Sequence, residues 1–180
     1  VVDFAELLLR SFEMLRDVPD LGEYYRERFR HLLVDEFQDT NGIQYDWLKQ
    51  ISGKTGAPFV VGDDDQSIYR WRGARVENMQ HFKREFGATV YRLEQNYRST
   101  AVILAAANAI IAMNTDRMGK DLWTAAKGGD PIRVYAAFNE RDEADFVIER
   151  IREHQHRGLP LAAAAVLYRS NAQSRTFEEV

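Results

Sequence analysis

His31-Leu32-Leu33-Val34-Asp35-Glu36 and Pro58-Phe59-Val60-Val61-Gly62-Asp63-Asp64-Asp65 share one pattern: a short apolar run that stops abruptly on acids. Compact runs of this kind predict buried parallel strands. Between them, Ile43, Trp47, Leu48 and Ile51 fall on one face of a helix spanning Ile43 to Ile51, which the loop from Gly53 to Pro58 closes. Strand, helix, strand is the repeating unit of a parallel α/β sheet, and ligands of such sheets collect beyond the carboxyl ends of the strands. Both acid clusters stand at that end.

Working outward, Phe4, Leu7, Leu8, Met14 and Leu15 lie at helical spacings behind Asp3, a candidate N-cap. A turn is expected at Pro19-Asp20, then a short exposed helix over Gly22 to Arg30. Downstream, Val76 to Phe86 reads as an amphipathic helix and Thr89 to Leu93 as a strand. Ser99 or Thr100 caps a long helix through Met113. The stretch from Ala101 to Met113 is the longest apolar one. It falls short of the roughly 20 residues of a membrane span and reads as a buried helix. After an irregular stretch come a strand over Ile132 to Phe138, a helix from Glu140 to His156, a strand over Ala163 to Tyr168 and a helix from Gln173. The expected class is α/β with a mainly parallel sheet, and the expected domain seam lies between Phe86 and Asn96.

Composition narrows the chemistry. The 180 residues are 45% apolar and 12% aromatic, with a formal charge of −4 and no cysteine. This is the profile of a globular chain holding one domain or parts of two, without disulfides, thiolate metal sites or a cysteine nucleophile. A reducing compartment fits. His31, His81, His154 and His156 never fall at the spacing of a helical zinc pair, so metal chemistry has to run on carboxylates. The mild acidity argues against a basic coat for nucleic acid but is silent about a groove. Starting at Val1-Val2-Asp3 and stopping within a helical pattern at Glu178-Glu179-Val180, the chain reads as a piece of something longer.

Asp35-Glu36 behind an apolar strand has the form of a Walker B element, in which one carboxylate holds Mg²⁺ and its neighbour polarises a water for attack on a phosphoryl group. The plainer alternative is a strand ending in solvated acids. A matching phosphate loop, G-x-x-x-x-G-K-[ST], is not present: Gly53-Lys54-Thr55 has the last three residues, but Leu48 occupies the first glycine's place, and the tripeptide follows a helix instead of preceding one. Gln66-Ser67-Ile68-Tyr69-Arg70-Trp71-Arg72-Gly73 alternates aromatics with cations. If extended, it sends Tyr69 and Trp71 to one side and Arg70 and Arg72 to the other, letting bases stack while cations reach phosphates. Alternatively, Trp71 is a core anchor. Tyr97-Arg98 stands just before a helix N-terminus, a natural place for phosphates.

The segments Val34 to Thr40, Val61 to Ala74 and Leu93 to Thr100 together resemble motifs II, III and IV of the UvrD/Rep/PcrA family of superfamily-one DNA helicases, in that family's order, and the likeness runs the length of the chain. It implies parts of two RecA-like domains behind a helical segment: 1–30 as the end of a helical insertion, 31–92 as the second half of the first RecA-like domain, and 93–180 as the first half of the second. It also implies an ATP-driven, Mg²⁺-dependent motor moving 3′ to 5′ on single-stranded DNA, opening duplex junctions in repair, with repair proteins as partners, a cytoplasmic, nucleoid-associated location and no membrane role. By the resemblance, Asp35 binds Mg²⁺, Glu36 activates water and Gln66 senses the γ-phosphate. Tyr69 and Trp71 stack bases beside Arg72, Tyr97 packs on the nucleotide base, Arg98 is the arginine finger, and Arg169 and Asn171 contact the DNA backbone. Arg70 replaces the small residue of close relatives, as a phosphate contact or a mere surface charge. The phosphate loop belongs before Val1, so the 180 residues alone are expected to be inactive. Two rivals are the helicase subunit of a recombination nuclease and a non-catalytic single-strand-binding module. A carboxylate-metal nuclease on Asp63, Asp64 and Asp65 is disfavoured, since three consecutive acids cannot all face one metal pair.

Overall fold

The computed structural model describes residues 2–115 and 117–180. In chain order the elements are α1 (Phe4–Asp17), α2 (Pro19–Arg28), β1 (His31–Val34), α3 (Gly42–Ser52), β2 (Ala57–Val60), α4 (Asn78–Glu85), α5 (Ala101–Ile111), α6 (Glu140–His156) and α7 (Ser174–Glu179). The described residues form a mixed helix and strand architecture with a small sheet: β1 and β2 pair in parallel, His31 opposite Ala57 and Val34 opposite Val60. No helix among them is long and apolar enough to cross a membrane.

Local chemistry explains most of the boundaries. Asp3 caps α1, its carboxylate accepting the Glu6 N–H at 2.8 Å. Asn41 and Gln44 form a reciprocal capping box on α3. Where a turn is expected, Pro19 instead opens α2, because the first helical position needs no N–H and suits proline's fixed φ. Gly53 ends α3 at a φ of 55°, its N–H bonded to the Lys49 carbonyl at 3.0 Å, and the chain passes straight into β2. Gly53-Lys54-Thr55 therefore follows a helix C-terminus, as its sequence order implies, and does not open a helix in the manner of a phosphate loop.

The chain forms two compact units, the first running to Gly129 and the second Asp130–Val180. In the first, α1 and α2 pack on α3, and the core gathers Leu15, Phe37, Tyr45, Leu48, Ile51 and Phe82. Phe37, two residues beyond the strand-end Asp35, is fully buried; its ring meets Phe82 edge-on at 5.5 Å and Tyr45 at 6.1 Å. In the second unit, Asn139 caps α6, Tyr135 stacks on Phe146 at 4.0 Å, and Tyr168 on Phe177 at 6.5 Å.

The fold departs from the expected one in three further ways. Both strands alternate half-buried and exposed residues, with Leu33 80% exposed, because helices cover one face only. Thr89 to Leu93, Ile132 to Phe138 and Ala163 to Tyr168 are not strands: apolar alternation makes a strand only where a neighbour supplies the ladder, and among the described residues these segments have none. Near the first of them there is a single parallel bridge, between Gln95 and Trp123. The third departure is α5, which is not the expected buried helix: only Leu104 is buried, while Ile103, Ile110 and the following Met113 face solvent.

With its ring at the centre of the core, Phe37→Ala is expected to lower stability by about 3–5 kcal/mol in chemical denaturation of the 180-residue chain, the usual result of emptying a buried aromatic site.

Candidate functional site

The acids follow directly from the strand ends. The parallel ladder continues one step past the regular strands: the Val61 N–H donates to the Val34 carbonyl at 2.8 Å and the Phe37 N–H to the Val61 carbonyl at 2.9 Å. This bond and the burial of Phe37 fix the chain on both sides of Glu36, which is held at φ 50° and ψ 44°, a left-handed conformation that side-chain-bearing residues seldom adopt. Asp35 and Glu36 are both exposed. One oxygen of Asp35 accepts the Glu36 N–H at 2.9 Å, and among the described residues the other carries no hydrogen bond. An exposed carboxylate oxygen beyond a strand end suits a hard cation such as Mg²⁺.

Gln38, which the sequence pattern left without a role, organises this corner. Its side chain is 1% exposed. The amide nitrogen donates to Glu36 Oε2 at 2.7 Å and the amide oxygen accepts the Asp63 N–H at 2.9 Å, so one buried amide joins the ends of β1 and β2. Gly62 makes the approach possible, since a Cβ there would lie 2.9 Å from Gln38 Oε1. Asp63 in turn accepts the Gln66 side-chain amide at 2.8 Å. Glu36, Gln38, Asp63 and Gln66 thus form one continuous hydrogen-bonded chain.

Three consecutive acids are not expected to face one metal pair, yet these three converge. Residues Asp64–Gln66 form a 3-10 turn, which brings ligand atoms of Asp63, Asp64 and Asp65 within 4.8 Å of one another. Protein groups already occupy them: Lys120 pairs with Asp63, Arg117 with Asp65, and the Met118 N–H with Asp64. Burial alone would push the Asp63 carboxyl up, but the bonds from Lys120 and Gln66 outweigh it and hold the group below the usual carboxylate range. Arg117 and Lys120 lie in a stretch whose sequence reads only as irregular.

The aromatic segment also differs from the extended form considered for it. Arg70–Arg72 is a 3-10 turn closed by Gly73 at φ 88°, with the Ala74 N–H returning to the Tyr69 carbonyl at 3.2 Å. Tyr69 and Trp71 consequently come together, ring centroids 6.5 Å apart, and the Arg72 guanidinium lies over both, 4.7 Å from Tyr69 and 4.6 Å from Trp71. Trp71 is 75% exposed, which excludes the core-anchor alternative. Arg70 pairs with Glu77 across 3.6 Å at the surface. The segment is tied back to the first acid loop: buried Asn78 donates to the Thr40 carbonyl at 3.1 Å, and the Arg75 N–H donates to that same carbonyl at 2.9 Å.

Tyr97 and Arg98 are exposed in a turn held by Asn96, whose side chain accepts the Arg98 and Ser99 N–H groups at 2.9 and 2.7 Å. The Tyr97 hydroxyl donates to Gln95 at 2.8 Å. Among the described residues no hydrogen bond, ion pair or ring contact joins either side chain to Glu36 or Gln66. Arg169 and Asn171 are exposed in the second unit, where Asn171 begins the 3-10 turn leading into α7.

Comparison with known proteins gives a consistent result. The family model described as "UvrD/REP helicase N-terminal domain" matches residues 1–87, and that described as "UvrD-like helicase C-terminal domain" matches residues 91–180. The "DNA helicase II" of Escherichia coli is 59% identical over 180 residues, covering 99% of this chain and 25% of the relative. That of Haemophilus influenzae is 58% identical over 179 residues, again 99% of this chain and 25% of the relative. The "ATP-dependent DNA helicase PcrA" of Staphylococcus aureus is 47% identical over 179 residues, with 99% and 24% covered. The chain spans about a quarter of the length of the curated relatives it matches.

Gln38→Leu keeps the bulk of the buried side chain but orphans the Asp63 N–H and frees Glu36. It is expected to cost about 1–3 kcal/mol of stability, read as a lower denaturation midpoint. An unchanged midpoint would show that the amide bridge carries no weight.

Proposed function

This chain belongs to the UvrD/REP helicase family, and from that premise we propose that it is the central part of an ATP-driven 3′ to 5′ DNA helicase, supplying the hydrolytic carboxylates and a DNA-binding surface. The supporting observation is the unbroken chain from Glu36 through Gln38 and Asp63 to Gln66. Three residues after Gln66 begins the Tyr69, Trp71 and Arg72 cluster, so nucleotide-facing and base-facing groups share one short segment.

In this reading Asp35 holds Mg²⁺, which when bound neutralises phosphate charge. Glu36 accepts a hydrogen bond from the attacking water and draws its proton as the water oxygen bonds to the γ-phosphorus and the γ-phosphorus–oxygen bond to ADP breaks, leaving ADP and inorganic phosphate. The left-handed backbone and the Gln38 amide fix where that carboxylate stands. Gln66 contacts the γ-phosphate. Arg98 supplies the finger, a contribution of about 10³–10⁵ in rate in related phosphoryl-transfer enzymes, and Tyr97 packs on the base of ATP. An exposed arginine held only through its backbone amide is free to reach a phosphate once another surface approaches, which makes hydrolysis depend on closure. Tyr69 and Trp71 stack single-stranded bases while Arg72 braces them, and Arg169 and Asn171 hold the DNA backbone. The proposed domain division is 1–30 for the end of a helical insertion, 31–92 for the second half of the first RecA-like domain and 93–180 for the first half of the second. The proposed setting is DNA repair in the nucleoid-bearing cytoplasm, acting on duplex junctions.

Two measurements test this. In the intact helicase, Glu36→Gln should abolish DNA-stimulated ATP hydrolysis and unwinding while single-strand binding persists. Surviving unwinding would overturn the motor assignment of Glu36, and hydrolysis by the 180 residues alone would overturn the placement of the phosphate loop outside them. Trp71→Ala should weaken single-strand binding by about 1–3 kcal/mol at fixed salt, with little dependence on base sequence.

A further inference from the structure

Lys120 and Arg117 hold the acids beyond β2 by contacts unlike any other ion pair among the described residues. Arg117 grips Asp65 as a two-pronged fork, Nε to Oδ1 at 3.0 Å and Nη2 to Oδ2 at 2.7 Å, with the two side chains 15% and 12% exposed. Lys120 pairs with Asp63 at similar burial. The remaining ion pairs each keep a partner at least 39% exposed, where solvent screens them. Arg117 also donates to the Lys120 carbonyl, so the two cations brace one another. A planar guanidinium on a carboxylate fixes direction as well as distance, which a surface lysine does not.

Three carboxylates within 4.8 Å repel one another unless cations stand beside them. The 3-10 turn that carries Gln66 is therefore compatible with its own acids only while Arg117 and Lys120 are seated. The turn depends directly on Asp63: its carboxylate accepts the Asp65 N–H at 3.0 Å and the Gln66 side chain at 2.8 Å, and its carbonyl accepts the Gln66 N–H at 3.0 Å. The clamping residues and the acids lie on opposite sides of the boundary between the two family domains, 1–87 and 91–180.

We infer that Arg117 and Lys120 are positioning residues that set the placement of Gln66 by clamping Asp63 and Asp65, so that the start of the second family domain controls the γ-phosphate contact of the first. The inference rests on the reading of Gln66 given above. Loss of the clamp leaves the nucleotide's other contacts in place and misplaces one group needed in the transition state. It therefore lowers kcat while sparing KM.

The test uses the intact helicase. Lys120→Met and Arg117→Met should each reduce kcat of DNA-stimulated ATP hydrolysis by about tenfold to a hundredfold, the scale of a displaced catalytic group, with KM for ATP within about twofold of the parent. Lys120→Arg should retain activity, and the exchanged pair Arg117→Asp with Asp65→Arg should recover most of what Arg117→Asp alone loses. Parental kcat in both methionine variants, or an exchanged pair no better than its single change, overturns the inference. Hydrogen exchange on the 180-residue chain separates this from the catalytic reading. Lys120→Met should speed exchange at the Asp65 and Gln66 amides by about tenfold or more while Leu48 and Ile51 in the core stay protected. Unchanged exchange there overturns the clamp even if Glu36→Gln behaves as expected. Faster exchange beside a Glu36→Gln enzyme that still hydrolyses ATP upholds the clamp and removes the catalytic reading.

Discussion

A single buried amide governs this chain's acidic corner. Gln38 buries an amide nitrogen that donates and an amide oxygen that accepts, and each bonds to a different strand end. Burying an amide is tolerable only when it is hydrogen-bonded, so the fold cannot move β1 and β2 apart at this end without stranding Gln38. Phe37 fastens the same turn from the other side through Phe82 and Tyr45. Glu36 is therefore positioned by its two neighbours, one apolar and one polar, pulling in opposite senses.

From that corner the connections run in two directions. One passes through Asp63 to Gln66 and on to the aromatic cluster. The other passes through Thr40, whose carbonyl receives both Asn78 and the Arg75 amide, and so reaches the far side of the same segment. Residues 63 to 78 are thus pinned at both ends to the loop that carries Asp35 and Glu36. Tyr69, Trp71 and Arg72 lie between these two attachments.

Legibility in the sequence followed the range of the forces involved. β1 and α6 are found where their patterns put them, and β2 is offset by one residue, because strand runs, caps and periodicity are local signals. The Asp35 and Glu36 pair was equally visible, being a break in a local pattern. The strands expected near Val90, Val134 and Val166 failed because a ladder requires a partner that no local pattern can guarantee. Gln38 escaped notice since its importance lies in a contact 25 residues away, and Arg117 escaped because its partner is 52 residues away. The compact form of Arg70 to Arg72 turned on Gly73, whose left-handed φ closes the turn that the alternation of aromatics and cations suggested would be open.

The left-handed backbone at Glu36 has a consequence for the history of this sequence. A residue with a Cβ held in that conformation costs about 1–2 kcal/mol relative to its ordinary basins, a strain that glycine or asparagine would relieve at once. Selection for durability alone would therefore erode this position first, and the glutamate persists only where some other advantage outweighs a looser fold. A lineage driven toward heat resistance would find its quickest gain on the very carboxylate proposed to activate water, and under that proposal would have to look elsewhere in the chain.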